Sequence, residues 1–147
     1  MFNILNSTDR LKLLKSDFEK LKQNPLDISL AEKACSDAWH LSDWIFSEQK
    51  VNDSGLTKEK FRINLYVECP EMRILHDLAN TTKHKDLTSP KTKIREDKIH
   101  SGGFSSGFSK AFNVSRLEVH YNEDARIDVD DLIKLAIAYW DKKLNNV

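Results

Sequence analysis

The stretch from Ile28 to about Lys50 restricts the fold more than any other part of the chain. Wound at about 100° per residue, it gathers Ile28, Ala31, Cys35, Ala38, Trp39, Ile45 and Phe46 on one side. Leu30, Ala34, Leu41 and Trp44 then widen the apolar arc beyond half of the circumference. Only a helix touched by several neighbours can bury an arc that broad, so this one is expected at the centre of a bundle. Its remaining polar strip carries Ser29, Lys33, Ser36, His40 and Asp43.

The neighbours that would cover it are also legible. Ser7 is a candidate N-cap for a helix over about 8–23, where Leu11, Leu14, Phe18 and Leu21 keep helical spacing and Asn24-Pro25 ends the run. Asp27 is placed to cap the central helix, expected over about 28–50. After the turn signal Asn52-Asp-Ser-Gly55, Thr57 is placed to cap a third helix over about 58–67, which uses Phe61, Leu65 and Tyr66. Pro70 suits the first turn of a fourth, over about 70–85, because the N–H it lacks would have no helical partner there.

Residues 86–113 are polar, with Pro90 and Gly102-Gly103, and are expected to form a loop. Phe104, Phe108 and Phe112 would pin that loop to the bundle or close it as a lid over a site. Leu117, Val119 and Tyr121 alternate with Arg116, Glu118 and His120, the mark of a half-buried strand. Asn122-Glu-Asp turns the chain toward Arg126–Val129, giving a hairpin over about 114–129. Asp130 would cap a last helix over about 130–145, with Leu132, Ile133, Leu135, Ala136, Tyr139, Trp140 and Leu144 as core candidates. The expected architecture is mainly α: one domain over 1–147, a compact bundle of four to five helices with one β-hairpin before the C-terminal helix.

Composition narrows the class of function. With 39% apolar and 31% charged residues the chain reads as a folded globule. Its 23 basic and 23 acidic residues cancel, so a globally basic nucleic-acid binder is not indicated. Charge is uneven along the chain: six cations fall between Lys83 and Lys98, and six carboxylates between Glu118 and Asp131. Cys35 and Cys69 have no CxxC spacing and read as buried thiols in a reducing compartment, with a single disulfide as the alternative. The N-terminal residues lack the basic and apolar regions of a secretory signal, and no long apolar run occurs, so a cytoplasmic protein without a membrane span is expected.

The fourth helix carries the residues suited to chemistry. Arg73, Asp77, Asn80 and His84 fall within one narrow arc, flanked by His76 and Lys83, while Ile74, Leu75, Leu78 and Ala79 occupy the other side. Surface faces favour Glu, Lys and Gln, whereas His, Asn and Asp are poor helix formers. Their central placement here points to a binding, catalytic or buried-network role. On the central helix His40 and Asp43 form a smaller group, three residues apart. If the polar sides of these two helices converge, His40, Asp43, His76, Asp77 and His84 are the residues that would ligate a divalent metal. The spacing matches no HExxH signature, and the 102–107 glycine-rich run lacks the GxxxxGK[ST] pattern, so neither a zinc motif nor a nucleotide P-loop is read and no cofactor is expected.

The pattern Arg73-x6-Asn80-x2-Lys83-His84, set in a small helical bundle, resembles the basic-plus-histidine helix of the HEPN superfamily. Ten residues separate Arg73 from His84, a wider spacing than that family's usual one, and the likeness covers roughly Ile28 to Lys85. The resemblance implies an all-helical, often dimeric domain. Many members are metal-independent RNases of toxin–antitoxin and phage-defence systems, while others are inactive scaffolds or nucleotide binders. Under it, His84 would exchange the proton of an RNA 2′-hydroxyl, Arg73 and Lys83 would stabilise phosphorane charge, Asn80 would orient phosphate or imidazole, and Asp77 would fix the His84 tautomer.

Three readings follow. The first is a non-catalytic module that binds a protein or a nucleotide through the polar face of the 70–85 helix, with His76, His40 and Asp43 as binding residues. The second is a metal-independent RNase with His84 as general acid and base. The third is a helical protein that binds a divalent metal. RNA or a nucleotide, a cognate protein and a second copy of the chain are the partners these readings imply.

Overall fold

Helices in this chain begin where a short polar side chain meets the first free N–H groups. The computed structural model describes residues 5–83, 108–109, 118–121 and 125–145. Helix α1 (Ser7–Gln23) is capped by Asn6, whose side chain accepts from the Asp9 N–H at 3.0 Å, and not by Ser7 as expected. Ser7 is the first helical residue instead. Its N–H donates to the Glu48 carboxylate at 2.7 Å and its hydroxyl donates to the same group. An acid from the following helix thus sits at the positive end of α1, where the helix dipole favours it.

The next two N-caps fall where the sequence places them. Asp27 accepts from the Leu30 N–H at 3.1 Å and opens α2 (Ile28–Asn52). Thr57 accepts from the Lys60 N–H at 3.2 Å and opens α3 (Lys58–Glu68). Helix α4 (Met72–Lys83) starts two residues later than expected. Pro70 lies in a tight turn before it, where the Met72 and Arg73 N–H groups reach back to the carbonyls of Cys69 and Pro70.

Helix α2 is central, as its broad apolar arc requires. It packs against α1, α4 and the C-terminal helix α5 (Val129–Asn145), and α1 packs on α5 as well. Ala31, Ala34, Cys35, Ala38, Trp39, Leu41 and Ile45 are all buried in those seams. Trp140 of α5 is fully buried, and its indole N–H donates to the Ala38 carbonyl at 2.9 Å. The hydrogen bond removes the cost of enclosing an indole nitrogen. No helix among the described residues is long and apolar enough to cross a membrane.

An antiparallel sheet precedes α5, in the order β1 (Phe108–Ser109), β2 (Glu118–Tyr121), β3 (Ala125–Asp128). Strands β2 and β3 form the expected hairpin, with Val119 opposite Ile127 and Val119 buried. Strand β1 falls inside the 86–113 segment expected to be a loop and corrects that expectation. Two residues pair through backbone groups opposite Val119 and Glu118, too short a ladder to leave an alternating pattern. Phe104 and Phe112, like the rest of 84–107 and 110–117, lie outside the described residues.

Glu118 is buried, although the alternation reads it as exterior. It sits on the middle strand, flanked on both edges, and Arg126 approaches its carboxylate at 3.6 Å. Helix α5 begins at Val129, directly after β3, so Asp130 lies inside its first turn and does not precede it.

Candidate functional site

The polar residues of α4 divide between two environments. Ile74, Leu75, Leu78 and Ala79 are buried, as their side of the helix requires, but burial extends past them. His76 is 6% exposed and Asp77 is 0% exposed. On a helical projection they stand roughly 60° and 40° to either side of Arg73. What reaches solvent is a strip holding Arg73, which is exposed, and Asn80, which is half-buried. Arg73 and Asp77 therefore do not share one open face. Asp77 keeps an interaction partner in its enclosed position, as a buried charge requires. The Lys83 side chain and all of His84 lie outside the described residues.

His76 occupies a seam built from three helices. Its ring stacks on Trp39 of α2, with centroids 4.1 Å apart and planes 12° from parallel. The hydroxyl of Tyr66, from α3, lies 2.5 Å from His76 Nδ1. Burial pushes the Tyr66 phenol up to about 12, with nearby Asp77 adding to the rise and Arg62 and Arg73 opposing it. The phenol therefore keeps its proton at neutral pH, and a hydrogen bond joins its oxygen to Nδ1 of His76. A histidine held in this way fixes the rotation of α4 against α2 and α3.

Two guanidinium groups lie over this aromatic seam. Arg73 stands 5.1 Å from the centre of the Tyr66 ring, and Arg62 stands 5.4 Å from that of Trp39. Each is a cation–π contact, worth about 0.5–1 kcal/mol at an exposed position. Asp43 of α2 turns toward α3 as well, with Lys58 Nζ at 3.0 Å and Arg62 at 4.0 Å from its carboxylate. It acts as a counter-ion that gathers Lys58 and Arg62. His40 is half-buried, and no hydrogen bond or ion pair among the described residues engages it.

Arg73 differs from its neighbours. Among the described residues no carboxylate pairs with it, so its N–H donors face solvent from a ring-supported position. Beside it, a groove of about 320 Å³ runs along α3, lined by Lys58, Glu59, Arg62, Ile63 and Tyr66. A larger cleft of about 820 Å³ lies elsewhere, between α2 and α5, and includes none of the residues singled out on α4. Arginine presents a planar fork to phosphate or carboxylate, and aromatic rings beside such cations suit the stacking of a base. Among the described residues no group of three or more His, Cys, Asp or Glu side chains is placed to hold a metal ion.

Helix-by-helix reading missed Arg62, Lys58, Tyr66 and Trp39 as members of this site. Arg62 and Tyr66 stand four residues apart on one face of α3, and that cation–aromatic spacing was the available signal. Comparison with family models, with curated proteins and with solved structures finds no match to this chain.

Proposed function

We propose that the protein is a non-catalytic binding module whose α3–α4 face captures a phosphate-bearing nucleotide or single-stranded RNA. The observation that carries the reading is Arg73, exposed, supported by the Tyr66 ring and unpaired by any carboxylate among the described residues. Arg62 and Lys58 line the adjoining groove, with Asp43 as their counter-ion and Glu59 beside them. His76 and Asp77 are enclosed below and serve the frame of the site, not contact with the ligand. Lys83 and the cation-rich segment after it continue the charge in sequence. The reading agrees with the nucleotide-binding branch that the HEPN resemblance implies, in a protein acting in the cytoplasm.

The test is fluorescence anisotropy of a short labelled single-stranded RNA, with ATP as competitor, in EDTA. Arg73→Ala is expected to weaken binding roughly tenfold, the equivalent of about 1.4 kcal/mol. Loss of one phosphate contact should also lower the slope of log affinity against log salt by about 1. Unchanged affinity and slope in both Arg73→Ala and Arg62→Ala would remove the proposed face. Cleavage of the RNA by wild type but not by His84→Ala would replace the non-catalytic reading with the RNase one.

A further inference from the structure

A second cluster of charges, remote from α4, lies in the seam between α1 and α2. Asp17 of α1 is 3% exposed. Among the described residues its cationic partner is Lys33 Nζ at 3.1 Å, and that lysine is half in solvent. Asp37 of α2 takes the same ammonium at 2.9 Å and also Arg10 of α1 at 3.3 Å. The guanidinium of Arg10 then reaches over Trp44, 5.7 Å from the ring centre. Two carboxylates from neighbouring helices thus share one lysine, and the better enclosed of them has the poorer set of cations.

Among the described residues, the other element packed on α1 pairs no charge with Asp17. On α5, Asp141 pairs with Lys15 at 2.9 Å, and Lys134 lines a groove with Lys15 and Glu19. Lys15 stands about 200° around the helix from Asp17. The groups facing Asp17 are therefore Lys33 and Asp37, with Arg10 behind them.

We propose that Asp17 and Asp37 hold one proton between them, and that this proton latches α1 onto α2, the seam loosening when it leaves. The proton sits on Asp17 and is donated to Asp37, because Asp37 has the stronger cationic company. Burial, and then the bond to Asp37, push the Asp17 carboxyl up to about 6, against the pull of Lys33. Burial also raises Asp37, but the bond from Asp17, Lys33 and the charge of Arg10 outweigh it and hold that carboxyl below its ordinary value.

The sign follows from linkage. Asp17 is raised in the folded state, so its contribution is complete below its ordinary value of 3.8 and is lost as pH rises through about 6. Asp37 is lowered and acts only in stronger acid. Between about pH 5 and 7.5 the folding constant of the wild type should fall about tenfold relative to Asp17→Asn, which keeps a donor to Asp37 and has no proton to lose. Comparing the two proteins cancels every titration that they share.

The experiment follows urea unfolding and amide exchange of wild type and Asp17→Asn across that range, with a carboxyl-carbon NMR titration of the wild type. The expected results are an Asp17 resonance with its midpoint near 6, and exchange in α1 that rises with pH beyond the intrinsic rate in wild type alone. An Asp17 midpoint below about 4.5, near the ordinary carboxylate range, would overturn the proposal. So would parallel pH profiles for the two proteins. The NMR titration reads the folded wild type directly and stands even if Asp17→Asn fails to fold.

Discussion

The contact that decides whether His76 is frame or ligand is the one it makes with Tyr66, and a double-mutant cycle isolates it. Tyr66→Phe removes the hydroxyl 2.5 Å from Nδ1 and leaves a 6%-exposed imidazole without that partner. A buried polar atom deprived of its partner costs about 1–3 kcal/mol. His76→Phe keeps a ring over Trp39, where the present stack has centroids 4.1 Å apart. It strands the Tyr66 hydroxyl, but Tyr66 is only half-buried and its oxygen has a route to water. That change should cost less through this bond, although it also removes the other interaction His76 makes.

The double variant has neither end of the bond, so its cost should fall short of the sum of the singles by about 1 kcal/mol. This exceeds the ~0.5 kcal/mol within which independent sites add. Urea unfolding is the assay, with slopes of about 1–3 kcal/mol per molar. At about 2 kcal/mol, Tyr66→Phe would move the midpoint by roughly 1 M and the melting temperature by roughly 4–8 °C. RNA affinity of the folded Tyr66→Phe protein should stay within about twofold of wild type, below ~0.4 kcal/mol, because phenylalanine still supports Arg73. Additive single costs would refute the argument that this pair fixes α4. Additivity together with lost RNA binding would instead place His76 among the ligand contacts.

Two further outcomes follow from buried groups. Trp140→Phe loses the hydrogen bond to the Ala38 carbonyl and part of a fully enclosed ring. It should destabilise by about 1–3 kcal/mol in thermal unfolding, less than the 3–5 kcal/mol typical of truncation to alanine, because the edge contact with Tyr139 at 4.9 Å can persist. Both free cysteines should resist thiol reagents at about pH 8 until the chain unfolds. Burial pushes Cys69 up to about 11 and Cys35 higher still, and labelling of either in the native protein at the rate of free cysteine would contradict that environment.

Much of the bundle was legible because its signals are local to each helix. The breadth of the apolar arc on α2 follows from residues of α2 alone, and Asp27 and Thr57 cap helices within three residues of themselves. Errors arise where the deciding partner is distant. Asn6 and Ser7 are both acceptable N-caps, and Glu48, far along the chain, takes Ser7 for another purpose. Glu118 reads as exterior until β1 covers the second edge of its strand. The α4 site was half legible for the same reason. A helical projection shows that Arg73, Asp77 and Asn80 lie close together, but the boundary between water and interior is drawn by Trp39 and Tyr66 on other helices. No property of α4 alone says that this boundary crosses its polar arc.

That boundary also explains how a nearly buried helix presents an exposed cation with definite aim. Apolar contacts set the rotation of α4 only coarsely, since Met72, Ile74, Leu75, Leu78 and Ala79 are spread over an arc of about 160°. Cores tolerate exchange among apolar groups of similar size. Polar groups do not tolerate it, because an enclosed donor, acceptor or charge without a partner costs more than a poorly packed methyl. Turning α4 by about 50° would take either His76 or Asp77 away from its partners and draw Arg73 toward the apolar seam. Several penalties of about 1–3 kcal/mol each would then oppose the turn. The enclosed imidazole and carboxylate thereby set where the Arg73 fork emerges over Tyr66, and the chemistry available at the surface is decided one layer below it.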